Sequence, residues 1–202
     1  MSACAGEIAI SCTSEDQTGV TTLHREQELD RFLAGVERRA IRIAEISIRD
    51  RDEALDLVQN AMIKLVRTYA DRPSAEWTPL FYRILQNGVR DHHRRQAVRN
   101  RVMVWFGRPG NDDRDFDVIA AAPDPAGRTP DQQLESGEAM RSLELALQDL
   151  PGRQREAFML RTFEGLDVAA TAAAMGCSEG SVKTHYSRAV HSLRETLGEH
   201  WQ

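Results

Sequence analysis

The sequence predicts an all-α protein: two small helical domains joined by a flexible linker. Three observations carry that expectation. Along most of the 202 residues, apolar side chains recur at intervals of three and four, the period of one helix face. No stretch sustains the alternation with β-branched residues that marks a half-buried strand, so no sheet is expected. Four of the seven prolines, Pro109, Pro123, Pro125 and Pro130, fall in one acidic segment that helices do not cross easily.

Residues 1–22 carry no periodic pattern and read as a flexible leader. Leu29, Phe32, Leu33, Val36, Ala40, Ile43 and Ala44 then mark a first helix to about Ile48. Asp50 or Asp52 can cap a second, with Ala54, Leu55, Val58, Ala61, Met62, Leu65, Val66 and Tyr69 on one face. After a break at Asp71-Arg72-Pro73-Ser74, a third helix is expected from near Pro79 to Arg101, with Phe81, Ile84, Leu85 and Val89 inward. These make a first domain, 23–101. Residues 102–133 read as a solvated acidic linker. In the second domain, 134–202, Leu134, Leu143, Ala146, Leu147 and Leu150 share one helix face. Pro151 suits the first turn of the next helix, which Gly165 ends. Asp167 caps a short helix, 168–175, that Gly176 terminates, and Ser178 caps the last, with Val182, Tyr186, Ala189, Val190, Leu193 and Leu197 inward.

Composition is that of an ordinary globular chain, 41% hydrophobic and 28% charged. No apolar run approaches the ~20 residues a membrane span needs, and no basic start precedes an apolar stretch. A cytoplasmic location without membrane contact is expected. Cys4, Cys12 and Cys177 match no zinc spacing and are odd in number, so no metal, cofactor or disulfide framework is expected. The net charge of −5 argues against nucleic acid until its distribution is considered. Six arginines and a single acid, Asp91, fall between Arg83 and Arg101, whereas Gly107 to Glu138 holds three arginines and eight acids.

The spacing Ala172-x3-Gly176-x5-Val182 satisfies a helix-turn-helix. It places a small residue where the helices cross, a residue tolerant of left-handed backbone in the turn, and a buried apolar residue on the second helix. The last helix then presents Glu179, Ser181, Lys183, Thr184, Ser187 and Arg188 outward, hydrogen-bonding groups and cations near the end that enters a major groove. A helical hairpin that binds nothing would share the turn. On the third helix, Arg83, Arg90, Arg94, Arg95, Arg99 and Arg101 follow the aromatics Trp77, Phe81 and Tyr82, a combination suited to single-stranded nucleic acid. The bland alternative is a solvated face with its aromatics in the core. His92 and His93 are adjacent, point different ways on a helix and read as surface residues.

These residues together resemble the extracytoplasmic-function (ECF) sigma factors, small alternative specificity subunits of bacterial RNA polymerase. Asp52-Glu-Ala-Leu-Asp-Leu-Val-Gln-Asn-Ala-Met-Ile-Lys-Leu-Val-Arg67 resembles the family's polymerase-binding helix. The resemblance implies that Asp56, Gln59, Asn60 and Lys64 face the large-subunit coiled coil. Leu80-Phe-Tyr-Arg-Ile-Leu-Gln-Asn87 with Asp91 and Arg94-Arg95 resembles the promoter-melting segment. It implies −10 contacts by Arg72, Trp77, Tyr82, Arg83, Asn87, Arg90, Asp91, Arg94 and Arg95, with a loop at 71–78 holding a flipped base. Many members carry Trp directly before that run; this chain has Leu80 there and Trp77 one turn earlier. Leu150-Pro-Gly-Arg-Gln-Arg-Glu-Ala-Phe-Met-Leu-Arg161, Phe163-Glu-Gly-Leu166 and Gly176-Cys-Ser-Glu-Gly-Ser-Val-Lys183 resemble the domain that reads the −35 element, implying roles for Ser178, Glu179, Ser181, Lys183, Thr184, Ser187 and Arg188. The short helix 168–175 departs from the family by its many alanines, so looser packing is expected there.

What the resemblance implies is a non-enzymatic factor that binds core polymerase through its coiled coil and flap, directs initiation at promoter DNA and is held by an anti-sigma factor. The linker acids would thread toward the RNA exit path. A stand-alone helix-turn-helix regulator is the alternative. A nuclease using Asp112, Asp113 and Asp115 is disfavoured, because those acids lack a rigid scaffold.

Overall fold

The structure, a computed structural model, describes residues 15–105 and 130–198, with side chains described for 23–101 and 138–198. Among the described residues there are seven helices and no strand. They are α1 (Glu15–Ile48), α2 (Arg51–Tyr69), α3 (Ser74–Trp105), α4 (Pro130–Asp149), α5 (Gly152–Thr162), α6 (Val168–Met175) and α7 (Glu179–Leu197). Cys4, Cys12 and most of the expected acidic linker lie outside the described residues.

In the N-terminal body, α1–α3, the Asp50 carboxylate accepts the Glu53 N–H at 3.2 Å and so caps α2. Ala54, Val58, Ala61 and Leu65 then turn inward against Phe81, Leu85 and Val89 of α3. Leu57 approaches Gly88 so closely that a Cβ there would sit 3.1 Å from it. Helix α3 runs on to Trp105, four residues into the expected linker, and two helix starts also differ from expectation. Helix α1 begins at Glu15, inside the expected leader; once nucleated, a helix extends at one hydrogen bond per residue fixed. Helix α3 begins at Ser74 rather than near Pro79. Pro79 removes only one backbone bond near the helix start, and its fixed φ suits the helix. The loop expected at 71–78 therefore shrinks to residues 70–73.

In the C-terminal body, α4–α7, the expected turn chemistry is present. Asp167 caps α6 by accepting the Ala170 N–H at 2.7 Å, and Ser178 caps α7 by accepting the Ser181 N–H at 3.2 Å. Gly176 adopts left-handed backbone, φ 64°, and its N–H bonds the Ala172 carbonyl. Phe158 stacks on Tyr186, ring centroids 6.1 Å apart, and the Arg161 guanidinium lies over the same ring. Val182, Ala189 and Leu193 are fully buried behind α7.

The two bodies pack on each other. Helix α6 lies along α3, and α4 and α5 cover the end of α1. The consequence for α1 is burial on every side: residues 43–48, including Glu45 and Ser47, are all buried. The alanines of α6 do not loosen the packing as expected. Thr171, Ala172, Ala174 and Met175 are buried, and small side chains allow the helix to come close to α3.

Gly176→Ala should destabilise the protein by about 1–2 kcal/mol, the usual cost of left-handed backbone for an L residue. Nothing lies within 4 Å of the added Cβ, so strain alone acts. Gly180→Ala, in α7 with ordinary backbone, should be neutral or stabilising by up to about 1 kcal/mol. Urea unfolding of the two variants reads the difference; equal midpoints would contradict the turn assignment.

Candidate nucleic-acid interface

Helix α7 presents an open polar face in the C-terminal body. Glu179, Lys183, Thr184, Ser187 and Arg188 are exposed along its first three turns, and Ser178 is exposed at its cap. Ser181 is half-buried, with its hydroxyl 2.9 Å from that of Ser178. The Thr184 hydroxyl donates to the Gly180 carbonyl. Three hydroxyls of the predicted reading face are thus already committed within the turn, though each oxygen keeps accepting capacity. Lys183 and Arg188 form no salt bridge among the described residues. The face offers an anion two cations, Lys183 in the second turn of α7 and Arg188 in the third.

Helix α3 divides its predicted residues between two sides. Arg83, Asn87, Asp91, Arg94 and Arg95 are exposed, with Arg94 3.9 Å from Asp91. Arg72, in the short loop, is exposed and pairs with Glu76 at 3.9 Å. Arg90 is half-buried and donates to the Gln86 carbonyl and the Asn87 side-chain oxygen. Trp77 and Tyr82 correct the expectation. Trp77 is 1% exposed, its indole N–H donates to the Tyr69 carbonyl, and its ring packs against Phe32. A ring so fastened is a core residue and cannot stack on a base. Tyr82 is fully buried against Phe81 and beside Glu164 of the other body.

On α2, Asp56, Gln59, Asn60 and Lys64 are all exposed. Two apolar neighbours that belong to the same surface were not singled out as such from the sequence: Ile63, 48% exposed, and Val66, 40% exposed and expected to point inward.

Residues 140–193 match the family model described as Sigma-70, region 4. The chain is 26% identical over 152 residues to the ECF RNA polymerase sigma factor SigX of Bacillus subtilis, covering 74% of this chain and 73% of that one. It is 28% identical over 174 residues to the RNA polymerase sigma-E factor of Streptomyces avermitilis, covering 84% and 85%. Among solved structures it is similar to the sigma factor RpoE in a co-crystal with the anti-sigma factor NepR from Bartonella quintana, with TM-score 0.57, 25% identity, 86% of this chain and 96% of that one. The chain belongs to the ECF family of RNA polymerase sigma factors.

This sigma factor therefore directs promoter recognition by RNA polymerase, and its family is non-enzymatic. No described helix is long and apolar enough to cross a membrane. Sequence reasoning missed a set of charged residues between the two bodies. The Arg39 guanidinium meets both oxygens of Glu164 at 3.1 Å. Arg42 pairs with Glu144, and Arg49 with Asp149 at 3.4 Å. Arg155 of α5 reaches the Ser47 carbonyl at 3.5 Å and the Gln148 carbonyl at 2.9 Å. Glu164 stands in the quoted Phe163-Glu-Gly-Leu166 turn, but only the tertiary arrangement shows what it faces.

Glu156 of α5 is buried with one oxygen bonded to Arg153 at 3.1 Å and the other unpartnered. Burial raises its carboxyl above the ordinary value, against the opposing pull of Arg153 and Arg90. A raised carboxyl favours the folded state while protonated, and this contribution is lost as pH rises through the folded value. Glu156→Gln should therefore be more stable than wild type at pH 7.5, and the gap should close as pH falls toward the ordinary carboxylate range near 4.3. Chemical denaturation at both pH values checks this; a gap independent of pH would count against it.

Proposed function

We propose that α7 reads the −35 element in the major groove, that the exposed side of α3 contacts the −10 region, and that the exposed side of α2 holds core polymerase. The observation that carries this reading is the outward row of Glu179, Lys183, Thr184, Ser187 and Arg188 on a helix fixed from behind by Val182 and the Gly176 turn. Arg83, Asn87, Asp91, Arg94 and Arg95 supply the −10 contacts, with Arg72 at the adjoining loop. Cations track the phosphates there, and polar groups meet bases that melting exposes. Trp77 is not part of the proposal. Ile63 and Val66 join Asp56, Gln59, Asn60 and Lys64 in the polymerase-binding face, toward the coiled coil of the large subunit. The C-terminal body would meet the flap.

A cytoplasmic location follows from a partnership with polymerase. An anti-sigma factor is a proposed partner, supported by the similarity to the sigma factor solved with NepR. Run-off transcription with core polymerase over a promoter library tests the whole reading; the expected result is a promoter-specific transcript that depends on the chain. Tight, specific DNA binding without polymerase would favour a stand-alone regulator instead.

Lys183→Ala and Arg188→Ala should each weaken use of the −35 element by about 1–3 kcal/mol, read as transcript yield against promoters with altered −35 sequences. Gln59→Ala should lower affinity for core polymerase, measured by fluorescence anisotropy, and leave −35 preference unchanged. Wild-type behaviour of all three variants would refute the assignment of these faces.

A further inference from the structure

We propose that Arg90 is a positioning residue for base selection at the −10 region: it captures the side-chain oxygen of Asn87, so that Asn87 meets an unpaired base with hydrogen-bond donors only. The inference rests on the reading of the exposed side of α3 as the −10 contact surface.

An asparagine amide offers an oxygen that accepts and an NH2 that donates twice. With both groups available it pairs with the N6–H and N7 of adenine. Asn87 does not have both available. A guanidinium nitrogen of Arg90, one turn further along α3, lies 2.5 Å from its Oδ1. Arginine carries N–H donors and no acceptor, so the atom turned toward it is the oxygen. The reverse orientation would set the NH2 against the guanidinium, donor against donor.

Arg90 is itself held in place. It is half-buried, and its Nε donates to the Gln86 carbonyl at 3.2 Å while a terminal nitrogen holds Asn87. Two bonds to acceptors on consecutive residues fix the guanidinium along the helix. Both lie within α3 and use its spacings of three and four residues. This gives a role to a residue that the sequence places among the −10 contacts and the structure turns along the helix surface.

Asn87 keeps its outward position. It is exposed, and its Nδ2 forms no hydrogen bond among the described residues. Arg83 and Arg94, both exposed, stand four residues before it and seven after, on the same stripe of α3. They are about 16 Å apart along the helix axis. A single strand whose phosphates follow these two arginines passes its bases across Asn87.

Donors alone favour a base edge with two neighbouring acceptors. Guanine has one in O6 and N7, and cytosine, once unpaired, has one in N3 and O2. Adenine sets N1 and N7 beside its N6–H donors, and thymine sets O4 and O2 beside N3–H. The base favoured at the position Asn87 reads is therefore guanine or cytosine.

The test is binding of fork-junction promoter DNA by core polymerase loaded with the full chain, each −10 position carrying each of the four bases in turn. Asn87→Ala identifies the position read: base preference should change there by about tenfold. Wild type should favour guanine or cytosine at that position. Arg90→Met should raise binding of the adenine template relative to the wild-type favourite by about fivefold to tenfold, as the released amide turns to pair with N6–H and N7. Loss of the Arg90 charge alone would weaken all four templates equally. Arg90→Lys, also a donor without an acceptor, should keep the wild-type order. Preferences at the −35 element should not move. Unchanged preferences in Asn87→Ala would overturn the −10 reading of Asn87, and the proposal with it. Adenine or thymine favoured by wild type at the position read, Arg90→Met with the wild-type order, or Arg90→Lys behaving like Arg90→Met would overturn the role of Arg90 alone.

Discussion

The last turn and a half of α1 is the constraint on which both halves of the molecule depend. Residues 43–48 are buried all round because α2 and α3 cover one side and α4 and α5 the other. A helix end in that position needs apolar groups in every direction, and Ile43, Ala44, Ile46 and Ile48 provide them. It must also accommodate Glu45 and Ser47. Ser47 resolves its hydroxyl by donating to the Ile43 carbonyl at 2.7 Å, and its own carbonyl accepts from Arg155. Glu45 is held between Arg42, at 3.7 Å, and Arg51, at 3.9 Å. The same residues thus complete the N-terminal core and form the floor on which the C-terminal body rests.

Local chemistry was readable in the sequence and non-local chemistry was not. Asp50, Asp167 and Ser178 each cap a helix as expected, because a cap bonds an N–H only three residues away. The Gly176 turn is equally local. Trp77 fails for the opposite reason: its indole is fixed by Tyr69 and Phe32, which are brought to it by packing and not by proximity in sequence alone. Val66 has the spacing of a core residue yet lies 40% exposed, since a helix face wider than its partner leaves an edge in solvent. Arg39 and Glu164, 125 residues apart, could be joined by no periodicity.

The alanine-rich α6 shows how a departure from a family pattern can be misread. Without α3 in view, small side chains suggest a loose core. With α3 beside it, they are what close helix approach requires, as Gly88 shows on the other side of the same helix. Helix α3 is therefore enclosed by small-residue contacts on two sides, while Arg83, Asn87 and Arg94 keep the remaining side open.

That geometry reconciles the net charge of −5 with a nucleic-acid role. Attraction to phosphate decays over about 8–10 Å at ordinary salt, so the charges within that range of a surface govern what it binds, not the sum. Between the two bodies, Arg39, Arg42 and Arg49 of α1 are paired with carboxylates of the C-terminal body. On α3 and α7 the cations Arg83, Arg95, Lys183 and Arg188 have no such carboxylate partner among the described residues.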